Sequence, residues 1–550
     1  MSLFRGFQKI IGSQGRLALV SERLREIERE IDEHYRSNVL VRETTFGSAA
    51  LHYLKVCEEQ YVAALLGIGD RTQSEMDAMA DTIINRSKPA LQWLLRDCEQ
   101  SSNEDFGYQD PLLGHATELA SLADEYLTFE SAFTYATADY VELELQGNRI
   151  VTSGAIRSDA VYDAYDRLQD YRKHQELEHG EPNFLNILAE TFKLTHTSFS
   201  YAFSPRLVAE ALEFLRPMLD KRFSLPVEWT FPEFDLSQFG KVAKVIWVLA
   251  FIHLQARQMA IKVGCHAMGI ENSVLLMRRE ELIARVRRYS SVEVGAVDAI
   301  IDHLTFGKYG QNSPDPALQP LIDLDGETIA LSPCIICNSS IERNLTVLLN
   351  RVPDAQRIYS VLNRQRESIM RSKLIDDLNP LEFEFWNGTL REWNGCGEID
   401  FAVVSRKEKT CLIAELKSFI APAEPKEIIN RSEEIAKGVE QITCRREKYQ
   451  NLPVPLLQAL NVTEDFSFTW AVISENSIGA NYVQKPDVPV VNRNHLTQAL
   501  AEHRSLSHVC RWLDARTYLP VRGADFVDLT MEATIGAFTL EWYGIGLQSL

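Results

Sequence analysis

Along residues 1–310 the apolar side chains return every three or four positions among charged ones, the spacing that gives a helix one buried face. Segment 16–36 (RLALVSERLREIEREIDEHYR) shows it, and 46–66, 73–98 and 116–146 continue it. Further helices are predicted near 205–221, 239–264 and 274–289, and Leu225-Pro226 and Phe231-Pro232 break the pattern between two of them. The chain carries neither a fixed-period repeat nor a low-complexity tract. These signs predict a large all-α region, a bundle or array, over 1–310.

The pattern changes at 311–320 (QNSPDPALQP), where three prolines with Asn, Ser and Asp mark a loop or linker. Residues 321–336 then read as strand, Asp325-Gly326 turn, strand, and helical spacing follows over 341–351 and 355–378. The stretch 311–354 is thus a linker, a hairpin and a connecting helix. Strand-like runs follow at 381–386, 398–404 and 410–417, then a polar helix at 425–449. Another strand is predicted at 466–474 (FSFTWAVIS), a short one at 488–491, a helix at 495–503, and an aromatic-rich, strand-prone extension over 506–550. The predicted class is α+β and multidomain: the all-α region, then a mixed α/β domain over 355–505 with a small central sheet.

The third of these runs carries the chemistry. It reads Cys411-Leu-Ile-Ala-Glu415-Leu-Lys417, and strand alternation puts Glu415 and Lys417 on one face. The run before Glu415 is apolar on both faces, as in a buried central strand. A carboxylate and an ammonium at the end of such a strand are costly to desolvate, so they need partners. Residues 405–409 make a short connection to the preceding run, Gly397-Glu398-Ile399-Asp400, which predicts a hairpin that brings Asp400 near Glu415. Two carboxylates there suit a hard divalent cation such as Mg²⁺. Such a cation would acidify water and stabilise charge on a phosphate, with Lys417 neutralising or orienting.

Gly397-Glu398-Ile399-Asp400, fourteen residues, then Glu415-Leu416-Lys417 resembles the PD-(D/E)XK, or restriction-endonuclease-like, nuclease superfamily. The resemblance covers roughly 355–505, and Ile399 stands where the literal motif has proline. It implies that Asp400 and Glu415 bind Mg²⁺ (with Mn²⁺ able to substitute) and that Lys417 assists the attacking water. By the same resemblance, Glu367 on the helix before the sheet becomes a third acidic ligand and catalytic partner, and Gln441 on the helix after it a polar partner. Glu398 shares the face of Asp400 by alternation and is either a further ligand or a cap on the strand entrance. The implied reaction is hydrolysis of phosphodiester bonds in nucleic acid, DNA first, in a restriction or anti-phage defence role. The alternative is a silent nuclease fold that acts as a binding scaffold through its helical region.

Charge changes the picture in one respect. The net charge of -20 disfavours a protein that simply coats nucleic acid, yet residues 351–460 hold 17 basic and 17 acidic side chains. Arg364, Arg366, Arg371, Lys373, Arg445, Arg446 and Lys448 are candidates for a local phosphate-binding face. The acidic helical region better suits a protein partner or an inhibitory role. A homodimer would supply the two sites that cutting both strands of a duplex requires.

No signal-peptide pattern opens the chain, and the longest apolar run, 245–252, is eight residues long, which reads as a buried helix core with no membrane span. Nine cysteines without disulfide-like spacing point to a reducing cytoplasm. Other motifs have simpler readings. Cys334-Ile-Ile-Cys337 lacks a second ligand pair and is expected to be buried in a strand. His174 and His179 stand at i, i+5, about 140° apart on a helix, which is wrong for a metalloprotease box. Gly67-Ile-Gly69-Asp70 lacks the lysine of a phosphate loop, and no G-x-S-x-G is present.

Overall fold

The computed structural model describes residues 16–548 apart from 67–72, 101–105, 107–108, 139, 154–155, 176–182, 196, 222, 224, 226–228, 265–268, 309–312, 346–356, 358–360, 362–364 and 480–487. The Gly67–Asp70 motif, His179, Arg364 and much of the helix predicted over 341–364 lie outside the described residues. The chain is mixed α+β, and three large apolar cores organise the described residues.

The first core is built by α1 (Arg16–Ser37), α2 (Val39–Glu43), α3 (Phe46–Leu65), α4 (Gln73–Asp97) and α5 (Asp110–Thr137). Thr45 caps α3 by accepting the Ser48 N–H, and α3 is buried on nearly every side, which places it at the centre. The helix predicted over 116–146 ends at Thr137. Residues Glu142–Gln146 (β1) and Arg149–Ser153 (β2) form an antiparallel hairpin instead. Gly147 supplies a φ of 68° at the turn, and ELELQ and RIVTS alternate with the period of a strand on either side. The region 1–310 is therefore not all-α.

The second core holds α7 (Asn183–Thr191), the short pair β3 (Lys193–Leu194) and β4 (Phe199–Ser200), α8 (Pro205–Lys221), α9 (Leu236–Val263), β5 (Leu275–Arg278), α10 (Arg279–Ser290) and α11 (Val294–Leu304). Asp235 and Gln238 close a capping box on α9. This helix is long and apolar enough to cross a membrane, but 78% of its apolar window is buried inside the protein. The predicted hairpin about Asp325-Gly326 is present as β6 (Leu321–Asp323) and β7 (Thr328–Leu331), with β5 on the other side of β7. Its second strand stops early. Ser332 and Pro333 form a cap and first-turn pair that starts helix α12 (Pro333–Asn338), so Cys334 and Cys337 sit on a helix rather than a strand. Both are buried, as expected. The stretch read as a linker is also packed inside: Pro314, Asp315, Pro316 and Ala317 are buried.

The third core surrounds a five-stranded sheet. After α13 (Ile341–Asn344) and α14 (Arg366–Leu378) come β8 (Glu384–Thr389), β9 (Glu398–Ser405) and β10 (Thr410–Lys417). Then follow α15 (Pro425–Asn451), α16 (Val454–Leu460), β11 (Ser467–Ser474), β12 (Val490–Asn492), α17 (Arg493–His503) and α18 (Leu506–Ala515). The strand order is β12-β11-β10-β9-β8, parallel through the first three and antiparallel across β9 and β8. Strand β10 is central and buried up to Leu416, as its apolar run requires. The extension after 505 begins with a helix, because Leu506, Val509, Cys510 and Leu513 bury one helical face; strands come only with β13 (Phe526–Ile535) and β14 (Phe538–Leu547).

Three connections bind the early chain to the late chain. Strand β14 pairs in parallel with β2, giving one sheet in the order β1-β2-β14-β13. Helix α6 (Ile156–Gln175) packs into the third core through Tyr162 and Tyr165. The Tyr165 hydroxyl lies 3.0 Å from His495 Nδ1, and Asp166 accepts from Ser477 Oγ at 2.6 Å and from the Ile478 N–H at 3.1 Å. On another side, Lys88 of α4 ion-pairs with Asp315 and with Glu424, the residue that precedes α15, and Arg343 reaches Glu427 at 3.0 Å.

One buried carboxyl inside this frame has a measurable consequence. Glu58 of α3 accepts the Ser332 hydroxyl and the Cys334 N–H, and burial pushes its pKa up to about 7. The folded state therefore holds a proton that the unfolded chain releases near 4.5, so this stability is present at low pH and lost as pH rises from about 4.5 to 7. Glu58→Gln keeps the acceptor oxygen without the charge. It is expected to match the wild type at pH 4.5 and exceed it at pH 8 by up to about 3 kcal/mol. Urea titrations at the two pH values check this; an equal difference at both refutes it.

Candidate functional site

The site lies where β9, β10 and α15 meet. The β9–β10 register pairs Ala414 with Phe401, and its continuation sets Glu415 opposite Asp400. The hairpin thus performs what its short 405–409 connection predicts. The two carboxyls are hydrogen-bonded to each other, and Asp400 Oδ2 also accepts the Leu416 N–H at 3.0 Å. Glu415 is 2% exposed, and Lys417, two residues on and on the same face, places its ammonium 2.6 Å from Glu415 Oε1.

Two acids this close, in a mostly buried setting, do not both ionise at neutral pH. Burial, then the charge and hydrogen bond of Glu415, push Asp400 up to about 7, against the Leu416 N–H and Arg445. Burial also pushes Glu415 up, but Arg445 and Lys417 outweigh it and hold this carboxyl below its usual range. Glu415 is the anion of the pair and Asp400 the proton carrier.

Helix α15 supplies the third side. Gln441 accepts from Lys417 Nζ at 3.0 Å, so this predicted partner does meet the lysine. Arg445, one helical turn further along the same face, donates to Glu415 Oε2 and is buried with it. It had stood in the sequence only as one of several cations; its place four residues after Gln441 was the available signal. Close approach of helix to strand needs Gly438. A Cβ there would stand 2.8 Å from Lys417 Cε and 3.4 Å from Glu415 Cγ.

Other predicted residues fare differently. Glu367 stands exposed on α14, near the carboxylate pair. Partial desolvation raises its pKa, Lys417 opposes this, and the charges of Glu415 and Glu398 add to it, which marks it as a neighbour of the site. Glu398 is exposed at the entrance of β9 and lines a cleft of about 300 Å³ with Gly395, Cys396, Gln441, Cys444 and Arg445. Of the cations taken as a phosphate-binding face, Arg366 is buried beside Glu475 at 3.4 Å, Arg445 is committed to Glu415, and Arg371 donates to the Asp400 carbonyl at 3.3 Å. That face is smaller than its composition implies. Glu475, which the sequence reading passed over, also accepts from Ser418 and donates its N–H to the Lys417 carbonyl at 3.0 Å, fixing the end of β10.

Cys396 and Cys444 are joined by a disulfide, with Cα atoms 6.2 Å apart. This corrects the expectation of unpaired cysteines. Forty-eight residues separate the two in sequence, so their meeting depends on how α15 packs against the β8–β9 connection and not on local spacing.

The donor set suits a hard cation in part. Asp400 and Glu415 offer adjacent carboxylate oxygens, and Mg²⁺ is commonly held by one or two carboxylates with water and phosphate oxygens completing its shell. Among the described residues no group of three or more His, Cys, Asp or Glu gathers for a metal ion. No family model, curated protein or solved structure matches this chain.

Proposed function

We propose that this chain is a metal-dependent nuclease of the PD-(D/E)XK type, hydrolysing phosphodiester bonds of nucleic acid, DNA before RNA. The single observation that carries this reading is the meeting of Asp400, Glu415 and Lys417 at the end of a buried central strand. Such a trio is expensive to bury and gives little stability for that cost, whereas it meets the needs of phosphoryl chemistry.

In this reading Asp400 and Glu415 would hold Mg²⁺ or Mn²⁺, with Glu367 on α14 as the third acidic group beside them. The ion supplies Lewis acidity to a phosphate oxygen and acidifies water. The chain's own residues do the rest. Asp400 and Glu415 would supply the carboxylate oxygens that hold the ion, and Arg445 keeps Glu415 ionised and oriented for that role. Lys417, held by Gln441, keeps its ammonium where negative charge develops on the phosphate. Helix α15 positions both partners and is anchored at its start by Lys88 from the helical region, which gives that region a route to control the site. A restriction or defence role, a protein partner at the helical region, a cytoplasmic setting and a homodimer for double-strand cutting belong to the same proposal.

A second reading has its own support. Arg445 and Lys417 already satisfy both oxygens of Glu415. A silent scaffold that keeps the fold would look the same. Purified protein incubated with linear, nicked, supercoiled and single-stranded DNA and with RNA, each with Mg²⁺ or EDTA, separates the two. Cleavage that EDTA stops supports the nuclease; cation-independent cleavage refutes its metal dependence, and no cleavage on any substrate favours the scaffold.

A further inference from the structure

We propose that Cys396–Cys444 is a reversible thiol–disulfide exchange site, acted on by a dithiol reductant, whose state sets how firmly the cleft wall is held around Arg445. This goes beyond the nuclease reading and stands on separate observations.

The first is selective access. Cys57, Cys98, Cys334, Cys337, Cys411 and Cys510 are free and buried, whereas Cys396 and Cys444 are half-buried and line the open cleft. Buried thiols in apolar surroundings are inert, and a disulfide facing a cleft can be reached by an attacking thiolate. Among the described cysteines, the bonded pair is the pair a reductant can reach.

The second is position. Cys444 is the residue before Arg445, which clasps Glu415, and Cys396 lies two residues before Glu398 and four before Asp400. The bond therefore joins the helix that holds one carboxylate to the connection that leads into the strand carrying the other. The third is what remains after cleavage. The β8–β9 connection keeps its own turn through the Leu390 N–H to the Gly397 carbonyl at 2.7 Å and the Cys396 N–H to the Trp393 carbonyl at 2.9 Å. Trp393 stays anchored by its indole N–H on the Leu452 carbonyl at 3.0 Å. Reduction thus frees the end nearest the site without unfolding the connection.

In the exchange, a thiolate of the reductant attacks one sulfur and the S–S bond breaks, giving a mixed disulfide. The second thiol of the reductant then displaces it. Two electrons and two protons pass to Cys396 and Cys444, and the reductant leaves as its own disulfide. A disulfide oxidant reverses the step.

The test uses the full chain and dithiothreitol. Non-reducing peptide mapping should show a 396–444 linked peptide that dithiothreitol opens in the native protein. Hydrogen exchange should then speed up at least tenfold over 393–399 and 441–447, with 411–416 unchanged. Cys396→Ser and Cys444→Ser should each exchange like the reduced protein and ignore dithiothreitol. An absent linked peptide, a bond that opens only after denaturation, or identical exchange in both forms overturns the proposal. Changed exchange with no DNA hydrolysis by either form sustains the switch and rejects the nuclease reading. Hydrolysis with unchanged exchange does the reverse.

Discussion

Glu415→Gln is expected to lower Mg²⁺-dependent hydrolysis by about 10²–10³-fold while leaving the fold intact. The side chain is 2% exposed, so its charge is felt in a low-dielectric setting. An amide keeps the shape and one acceptor. It cannot serve Lys417 and Arg445 together, since both are donors and only one amide atom accepts. Nor can it supply the anionic oxygen a divalent ion requires. Asp400→Asn should fall to a similar level, because the two carboxyls act as a pair and such losses do not add. Steady-state cleavage of linear DNA, with circular dichroism to confirm folding, checks both. Wild-type kcat in Glu415→Gln would end the assignment.

The second large effect concerns stability. Arg445→Ala should destabilise the protein by about 3–5 kcal/mol, the usual result of removing one partner from a buried pair. Arg445 and Glu415 are 5% and 3% exposed in their side chains, so the surviving carboxylate loses its buried cation and keeps Lys417 and the Asp400 hydrogen bond against the cost of burial. Glu415→Ala alone should also destabilise, leaving a buried guanidinium. The double variant should lose less than the sum, with a coupling of about 1–3 kcal/mol. Urea denaturation of the three variants measures it. Losses under 1 kcal/mol for Arg445→Ala, or simple additivity, would show that the clasp contributes little.

The candidate trio was legible because strand alternation and one short connection are local rules. Glu415 and Lys417 share a face by counting two, and Asp400 follows from the turn before Thr410. Gln441 came through resemblance and does reach Lys417. Arg445 and Cys444 were not read as site residues, because their partners lie across a helix–strand interface that no local spacing encodes. The fold shows the same division. Helices α1, α3, α4, α8 and α9 were legible from their apolar period, and β10 from its unbroken apolar run. The β1–β2 hairpin was not, since ELELQGNRIVTS also fits the end of a long helix until Gly147 is given its turn. The proline-rich 313–320 stretch looked like a solvent linker because composition does not reveal that Lys88 waits for Asp315. Helix α6 shows the same limit of local rules, since its partners stand more than 300 positions later in the chain.

The pairing of β2 with β14 sets a schedule for the nascent chain. Arg149 meets Thr539, about 390 residues downstream, so at the usual 5–20 residues per second the first hairpin leaves the ribosome roughly 20–80 s before its partner strand exists. During that interval the edge of β2 that later pairs with β14 stays open. Acidic side chains flank it: Glu142 and Glu144 on β1 repel a second copy of a chain already rich in negative charge.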